Sequence, residues 1–287
     1  MLEELIEIMR PKQWYKNLII FAAIFFSKSI FNVQLLQLTA IGFVVLCFLS
    51  SGSYALNDIM DAEADRHHDK KKHRPIASGR LNPFLAAVWA ILLYAAGFSL
   101  AWLVNSSFLA ACAILVILTQ FYNILFKNIA FADIAILSTN FMIRAVAGAL
   151  AINVLISPWL ILGTYLLALF LGTAKRKADL ESLGKKAADY KKVFETYTSE
   201  LLDNFLLMAG TLLFITYCLY SFLGSSAHTV AIMATIPVVF FLIFRYYYLT
   251  AKKQDIARDP ENVFTDVQMV AGMLLWLIIF FLGTYII

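Results

Sequence analysis

The residues best suited to chemistry lie in one polar stretch, 57–81, which separates two long apolar segments. Three of its aspartates, Asp58, Asp61 and Asp65, follow the spacing i, i+3 and i+7, so a helix places their carboxylates on one face. Like charges on one face repel each other, and a bound cation removes that repulsion. Carboxylate ligands without cysteine or histidine suit a hard ion such as Mg²⁺, which commonly shares its shell with substrate phosphates. The spacing therefore predicts a magnesium site, and the alternative is a solvated loop of mixed charge.

The composition indicates which elements must position these carboxylates. Hydrophobic residues make up 61% of the 287 residues, and charged residues make up 15%, below the roughly 25% of soluble domains. Since a spanning helix needs about 20 mainly apolar residues, we predict an all-α, polytopic membrane protein with nine transmembrane helices. The predicted spans are 17–31, 35–56, 83–104, 107–126, 131–153, 157–174, 202–223, 229–249 and 267–287.

The charges indicate how these spans are oriented. Acidic residues all fall in or at the edge of segments that nine alternating spans leave on one side, and nearly all lysines and arginines do too. By the positive-inside rule this side is cytoplasmic. We therefore expect a multi-pass protein of the cell inner (cytoplasmic) membrane with a cytoplasmic N-terminus and a cytoplasm-facing site. The whole chain, 1–287, is predicted to be one transmembrane domain, with catalytic loops at about 57–82 and 175–201.

Basic residues recur where the predicted cytoplasmic loops meet the membrane. They are Lys16, Lys127, Lys175, Arg176 and Lys177. Each alone fits a topology or lipid-headgroup anchor. Together with the aspartates they predict a pocket for a diphosphate, in which Mg²⁺ bridges phosphate oxygens to carboxylates and the basic side chains neutralise the remaining charge.

Arg144 is a charged residue inside a predicted span. It follows Asp133 by eleven positions, or roughly 16 Å along a helix at the usual rise per residue. A guanidinium at that depth is costly, and such residues usually face an interior cavity or a partner. Two interpretations stay open: an ion pair with an aspartate of the bundle, or contact with an anionic substrate in a polar cavity.

Histidine and cysteine do not add a second metal site. The polar stretch contains His67, His68 and His73 without any cysteine or suitably spaced histidine partner, so we expect loop residues. The three cysteines fall inside apolar segments and are expected to be small core residues.

Four motifs together resemble the UbiA superfamily of intramembrane prenyltransferases. They are N-D-x-x-D-x-x-x-D at 57–65, R-P-I-A-S-G-R at 74–80, Y-N-x-x-x-K at 122–127, and D…R-A-x-A-G-A from Asp133 to Ala149. The resemblance covers nearly the whole chain and implies a UbiA-like bundle of nine spans. Most members of that superfamily transfer an isoprenoid from its diphosphate to an aromatic acceptor, using a second D-x-x-x-D motif that holds a second Mg²⁺.

The sequence departs from the family at that second motif. Residues 175–184 are K-R-K-A-D-L-E-S-L-G, in which Asp179 remains but Lys175 and Leu183 occupy the other acidic positions. This segment, the opening R-P-K-Q-W-Y-K-N and Y-T-S-E-L-L-D-N-F at 197–205 are similar to the decaprenyl-phosphate phosphoribosyltransferase branch. That similarity implies transfer of 5-phosphoribose from phosphoribosyl pyrophosphate to a polyprenyl phosphate, releasing diphosphate, for the synthesis of cell-wall polysaccharide precursors.

The resemblance also implies roles for individual residues. Asp58, Asp61 and Asp65 are expected to be catalytic and to hold the Mg²⁺ cofactor. The expected substrate-binding residues are Lys16, Asn57, Arg74, Tyr122, Lys127, Arg144, Lys175 and Arg176. Expected partners are the two substrates and the lipid bilayer, without nucleic acid. The polyprenyl chain length and the oligomeric state are not set by the sequence.

Two other functions remain open at this point. One keeps the fold and changes the reaction to Mg²⁺-dependent transfer of an isoprenoid to an aromatic or other acceptor, which the altered second motif disfavours. The other is a transporter or channel built around Arg144. A transporter is expected to carry acidic residues deep within its spans, whereas here they lie at the cytoplasmic edge.

Overall fold

A computed structural model describes residues 1–67, 71–184, 187–224, 229–252 and 254–286. Across these ranges the chain is helical and has no β-strand, which confirms the all-α class. The α-helices are α1 (Leu2–Met9), α2 (Ala22–Phe26), α3 (Val33–Met60), α4 (Ala62–Arg66), α5 (Pro83–Val104), α6 (Ser106–Ile124), α7 (Ala132–Ala151), α8 (Pro158–Leu183), α9 (Ala187–Tyr190), α10 (Ser199–Leu223), α11 (Thr229–Met233), α12 (Ile236–Lys252), α13 (Gln254–Arg258) and α14 (Val267–Phe281). Short 3₁₀ helices at Pro11–Phe21, Lys71–His73, Phe126–Asn128, Lys192–Glu195 and Pro260–Thr265, with a π-helical turn at Leu282–Ile286, complete the described elements.

Eight of the described helical segments are long and apolar enough to cross a membrane, so this is an integral multi-pass membrane protein. They are α3, α5, α6, α7, α8, α10, Val230–Lys252 and Val267–Ile286. Their starts follow local chemistry. Asn82 and Ser157 accept hydrogen bonds from the first turns of α5 and α8, and in both helices proline takes the first position, where its missing N–H costs nothing.

The first predicted span, 17–31, differs from the structure. The chain there forms a 3₁₀ helix, Pro11–Phe21, continued by α2, and turns at Lys28, whose φ is 60°. The apolar run is too short for a spanning α-helix and is interrupted by this polar turn. A 3₁₀ helix rises about 2.0 Å per residue, so with α2 the segment advances roughly 30 Å, the thickness of the hydrocarbon core. In the described part of the chain, the nine predicted spans therefore correspond to eight long apolar helical segments and this extended segment.

The described chain divides into two compact units, Met1–Ile124 with Ile143–Ile156, and Leu125–Met142 with Ser157–Ile287. The boundary falls within α7, so Asp133 belongs to the second unit and Arg144 to the first. The expectation of a single domain stays a prediction.

The core of the first unit lies between the 3₁₀ segment, α3, α5, α6 and the end of α7. Its buried side chains include Ile20, Leu46 and Phe108. Gly148 permits the closest approach, because a Cβ at this position would lie 2.1 Å from the carbonyl oxygen of Ile20. Backbone contact without a side chain thus holds the 3₁₀ segment against α7.

The core of the second unit is built mainly from α8, α10, α12 and α14. Phe170, Leu206 and Leu249 are among its buried side chains. A smaller cluster joins Ile134 at the start of α7 to Phe194 and Tyr197 in the connection between α8 and α10. This cluster positions the polar residues of the second unit.

Candidate active site

The predicted aspartates lie where α3 continues into α4. Backbone hydrogen bonds from Asp61 N to Asn57 O (2.9 Å) and from Asp65 N to Asp61 O (2.8 Å) carry the helical stagger from α3 into α4. Asp58 and Asp65 therefore point to the same side, and their residues are only 2% and 3% exposed. Three of the predicted aspartates thus lie on consecutive turns, as their spacing indicated.

Arginine side chains neutralise this pair of buried carboxylates. Arg74 Nη1 donates to Asp58 Oδ1 at 3.0 Å and to Asp65 Oδ2 at 2.6 Å. Arg10 Nη2 donates to Asp58 Oδ1 as well. Lys71 Nζ lies 3.8 Å from Asp65 Oδ1. Burial lowers the pKa of Lys71, and the neighbouring Asp65 carboxylate opposes that shift.

Asp61 has a different neighbour. Its Oδ2 accepts a hydrogen bond from Asn57 Nδ2 at 3.1 Å. Among the described residues, no three acidic, histidine or cysteine side chains converge in a geometry that would hold a metal. Asp58 and Asp65 nevertheless direct oxygens to one Arg74 nitrogen. Two buried carboxylates that share one cationic neighbour are hard oxygen donors of the kind Mg²⁺ takes, so these residues fit a divalent ion.

Arg10 was missed by sequence reasoning, which chose Lys16 from the same motif. Arg10 lies between α1 and the 3₁₀ segment in a left-handed conformation, with φ 52° and ψ 59°. Its guanidinium also stacks 5.0 Å above the ring of Tyr54. Lys16 Nζ instead donates to Gln13 Oε1 at 3.2 Å, a contact within its own segment. The sequence signal for Arg10 was its position directly before Pro11, because proline often starts a helix and Arg10 therefore lies at the junction of two helical segments.

Arg144 lies half-buried in α7, in the neighbourhood of Tyr54 and Cys47 of α3. Its Nε lacks a hydrogen-bond partner, and no carboxylate pairs with it among the residues that the structure describes. The ion pair with an aspartate is therefore not seen in this part of the chain. The surroundings are polar: Asn17 is buried and donates from Nδ2 to Cys47 Sγ at 3.4 Å. A guanidinium in a membrane span without a carboxylate is suited to bind an anion.

Two further predicted residues lie where α6 ends. Tyr122 is on the last turn of α6, and Lys127 is in the 3₁₀ helix Phe126–Asn128. Tyr122 belongs to the first unit and Lys127 to the second. Of the histidines of the polar stretch, His67 ends α4 and bonds through Nδ1 to Glu63 O at 3.1 Å, which fits a loop residue. His68 and Asp69 lie outside the described residues.

The second unit contains its own buried ionic network, centred on Asp133 at the start of α7. Asp133 is fully buried and accepts from Arg176 Nε (2.7 Å), Lys191 Nζ (2.9 Å) and Tyr197 Oη (2.7 Å). Tyr197 Oη in turn accepts from Phe131 N at 2.7 Å. Burial lowers the pKa of Lys191 to about 8, and the positive charge of Arg176 adds to this. Burial and its hydrogen bond to Asp133 raise the pKa of Tyr197.

The basic segment at the end of α8 is paired with protein acceptors. Lys175 Nζ donates to the carbonyl oxygen of Arg258 at 2.5 Å. Lys177 Nζ pairs with Asp203. Asp179, the acidic residue retained from the family's second motif, lies 3.3 Å from Arg258 Nε and 3.8 Å from Arg176 Nη1. Lys191, Tyr197 and Arg258 were not predicted, because partners so far apart in sequence leave no local pattern.

The chain is similar in sequence to known proteins. Residues 18–278 match the UbiA prenyltransferase family. Decaprenyl-phosphate phosphoribosyltransferase of Corynebacterium glutamicum is 36% identical over 222 residues, which cover 76% of this chain and 67% of that protein. The protein of the same name from Mycolicibacterium smegmatis is 30% identical over 270 residues, covering 90% of this chain and 85% of that protein.

Solved structures show the same fold. A UbiA homolog from Archaeoglobus fulgidus bound to GPP and Mg²⁺ superposes with a TM-score of 0.75 at 19% identity, covering 95% of this chain and 99% of that chain. The same homolog bound to DMAPP and Mg²⁺ gives a TM-score of 0.75 at 18% identity, covering 96% and 99%. With the family match over most of its length, this chain belongs to the UbiA prenyltransferase family.

Proposed function

We propose that this protein transfers 5-phosphoribose from phosphoribosyl pyrophosphate to a polyprenyl phosphate, with release of diphosphate. The main support for the proposal is that basic and apolar residues replace acidic residues in the second motif, D-x-x-x-D. Of the motif positions 175, 179 and 183, only Asp179 is acidic. Asp179 faces Arg176 and Arg258, and residues 175–177 are all basic. The site therefore lacks the acidic set that a second metal of a prenyltransferase requires. The names of the two similar phosphoribosyltransferases support the same reaction.

In this reaction the bond between the ribose anomeric carbon and the diphosphate oxygen breaks. A bond forms from that carbon to a phosphate oxygen of the polyprenyl phosphate. Positive charge develops on the ribose ring and negative charge on the departing diphosphate. Fixed cations near that diphosphate stabilise the charge where it appears. Arg144, which has no carboxylate partner among the described residues, is suited to this role together with Arg74.

The acceptor needs little activation, since a phosphate oxygen is already an anion. The protein therefore has to bring two anions together in the correct orientation, and positioning supplies much of the rate. Lys16, Tyr122, Lys127, Lys175 and Arg176 remain candidates for holding the phosphates of the two substrates. For Lys175 and Arg176 this role requires a change of partner, because both now donate to protein oxygens.

Asp58, Asp61 and Asp65, with Asn57, would hold Mg²⁺ near the donor diphosphate. When bound, the ion supplies Lewis-acid stabilisation of the leaving diphosphate. Support comes from the oxygen donors themselves and from the Mg²⁺ in the solved UbiA homolog. We further place the site on the cytoplasmic face of the cell inner membrane, with the N-terminus cytoplasmic, because the charged segments share one side.

Transfer of an isoprenoid from its diphosphate is the second candidate. The family assignment and the prenyl diphosphates bound to the solved homolog favour it. The altered second motif counts against it, because Lys175 and Leu183 stand where the family resemblance implies further acidic ligands for a second divalent ion.

A direct assay separates the two reactions. Purified protein in detergent receives phosphoribosyl pyrophosphate labelled in the ribose, polyprenyl phosphate and Mg²⁺, and thin-layer chromatography follows the label. We expect label in the lipid fraction when polyprenyl phosphate is present and none in its absence. Product from prenyl diphosphate and an aromatic acceptor, with no ribose label in lipid, would contradict the proposal.

A further inference from the structure

Two of the three carboxylates that are proposed to hold the metal already accept hydrogen bonds from arginines. Asp58 Oδ1 accepts from both Arg10 and Arg74, and Asp65 Oδ2 accepts from Arg74. The positive charges of Arg10 and Arg74 face these two carboxylates, and Lys71 Nζ lies 3.8 Å from Asp65 Oδ1. A divalent cation that binds the same oxygens must therefore displace guanidinium groups that now satisfy them.

The arginines occupy the accessible side of the cluster. The side chains of Asp58 and Asp65 are 3% and 4% exposed, whereas those of Arg10 and Arg74 are 21% and 24% exposed. Solvent and ligands thus reach the arginines first. The two residues also lie outside regular α-helix: Arg10 joins two helical segments with a positive φ, and Arg74 follows a short 3₁₀ turn and precedes Pro75. Their guanidinium groups can move without unwinding a spanning helix.

We infer that Arg10 and Arg74 are exchangeable counter-cations that pass from Asp58 and Asp65 to the substrate diphosphate when metal and diphosphate bind. This inference rests on the proposed function, and it adds Arg10 to the diphosphate-binding residues. Metal alone would leave two guanidinium groups beside a divalent cation, which is electrostatically unfavourable. Metal accompanied by diphosphate supplies new acceptors for both groups in place of the carboxylates, as charge-assisted bidentate hydrogen bonds.

Tyr54 indicates where the anion would lie. Arg10 stacks on its ring at 5.0 Å, and Arg144 lies in the neighbourhood of the same tyrosine. Arg10 therefore reaches from the carboxylate pair toward the guanidinium that has no carboxylate partner among the described residues. An anion bound at Tyr54 would meet arginines from two separate segments of the first unit, the junction after α1 and the later half of α7.

The exchange predicts opposite effects of one substitution on two ligands. Mn²⁺ serves as a spectroscopic substitute for Mg²⁺, and its binding to the full-length protein in detergent is titrated by electron paramagnetic resonance without substrate. Because each arginine competes with metal through charge-assisted hydrogen bonds, Arg10→Gln and Arg74→Gln should bind Mn²⁺ about tenfold or more tightly than the wild type. At saturating Mn²⁺ the same variants should bind inorganic diphosphate at least about tenfold more weakly.

Matched variants make these results specific. Arg80→Gln removes an exposed arginine of the same polar stretch, which pairs with Glu7, and should change neither titration. Asp58→Asn should weaken Mn²⁺ binding. Equal or weaker Mn²⁺ binding by Arg10→Gln and Arg74→Gln would overturn the exchange, since permanent structural ion pairs predict a damaged metal site.

The wild-type protein provides a measurement that does not depend on folding of the variants. Phenylglyoxal modifies accessible arginines, and peptide mass spectrometry gives the rate at each position. Mg²⁺ alone binds weakly, so it is added at a concentration that saturates its site. Saturating Mg²⁺ should increase modification of Arg10 and Arg74, because the bound ion displaces them, and Mg²⁺ with diphosphate should suppress it. Arg80 should be unaffected by either addition. If saturating Mg²⁺ leaves the modification rates of Arg10 and Arg74 unchanged, the inference is overturned.

Failure of the arginine exchange and failure of the proposed function give different results. If ribose label enters polyprenyl phosphate while Mn²⁺ affinity is the same in wild type and Arg74→Gln, the exchange is wrong and the reaction stands. If no ribose label enters lipid under any condition, the function is wrong whatever the titrations show.

Discussion

The protein contains two buried groups of charged residues that use opposite arrangements. In the first unit, two carboxylates share arginines that are partly exposed. In the second unit, one fully buried carboxylate, Asp133, is surrounded by Arg176, Lys191 and Tyr197. The first group has acceptors on the inside and exchangeable cations outside. The second has its single acceptor enclosed by donors from separate segments.

This difference indicates that the Asp58 group is a ligand-binding site and that the Asp133 group is a structural ion-pair network. A carboxylate with accessible counter-ions can exchange them for a metal or a substrate. A carboxylate that joins α7, α8 and the connection before α10 holds those segments together, and breaking a buried ion pair leaves an uncompensated charge. We therefore assign turnover mainly to the Asp58 group and stability mainly to the Asp133 group.

The largest expected effect is on turnover at Asp58. Asp58→Asn should lower the rate on the order of 10²–10³-fold, because a proposed metal ligand loses its charge where the leaving group is stabilised. Radiolabel transfer from phosphoribosyl pyrophosphate measures the rate, and size-exclusion chromatography checks the fold. The control is Glu63→Gln, which alters an exposed carboxylate of α4 paired with Arg66. Near-normal turnover in Asp58→Asn would contradict the assignment of turnover to the Asp58 group.

Asp133→Asn should act on stability instead. Its removal leaves Arg176 and Lys191 buried without their shared acceptor, at a cost of about 3 kcal/mol in the free energy of unfolding. Denaturant titration in micelles measures this. Asp203→Asn, which removes a more exposed partner of Lys177, should cost about 1 kcal/mol or less. Similar losses of unfolding free energy in both variants would show that the Asp133 network stabilises the protein no more than an exposed ion pair does.

Arg144→Gln is expected to reduce use of substrate roughly ten- to a hundredfold, the value of a charge-assisted hydrogen bond to a phosphate. Stability should be unchanged or increased, since no carboxylate in the described part of the chain depends on Arg144. Steady-state kinetics and thermal unfolding measure the two effects. Arg144→Lys keeps the charge and should recover part of the activity. A large loss of stability with unchanged kinetics would instead identify Arg144 as structural.

The smallest effect concerns pH and Lys191. Its folded-state pKa is lowered to about 8, below the value of about 10.4 for an unfolded chain. Between these values the unfolded chain binds the extra proton, so the contribution of Lys191 to stability increases as pH rises through this window and levels off above it. Unfolding titrations of wild type and Lys191→Met from pH 7.5 to about 10 should show a steeper rise for the wild type.

Lys192→Met changes the exposed neighbour and serves as the control for this pH effect. It should retain the wild-type slope. Identical slopes for wild type and Lys191→Met would contradict the lowering of the Lys191 pKa by burial.

Local spacing was enough to predict the first group in outline. The i, i+3, i+7 pattern predicts Asp58, Asp61 and Asp65 on one side of a continuing helix. The backbone hydrogen bonds show that the helical turn continues, and Asp58 and Asp65 share Arg74. The same pattern carried no information about Arg10, which comes from 48 residues earlier in the chain. Composition predicted the membrane class and most of the spans, because apolar length is a local property.

The remaining features depend on contacts between distant segments. The 3₁₀ segment begins at Pro11, and its path against α7 depends on Gly148, so the boundary of the first span could not be predicted from hydropathy alone. The sequence predicts that the basic segment after the sixth predicted span binds a substrate phosphate. In the structure Lys175 and Arg176 bond to Arg258 O and Asp133, whose positions follow from tertiary packing.

One measurement tests the proposed reaction most directly. Phosphoribosyl pyrophosphate is prepared with ³²P either in the 5-phosphate or in the β-phosphate of the diphosphate, and each is incubated with the protein, polyprenyl phosphate and Mg²⁺. We predict that the 5-phosphate label enters the lipid fraction and that the β-phosphate label leaves as diphosphate, with both events lost in Asp58→Asn. Label from the β-phosphate in lipid, or no label in lipid from either substrate, would contradict phosphoribosyl transfer.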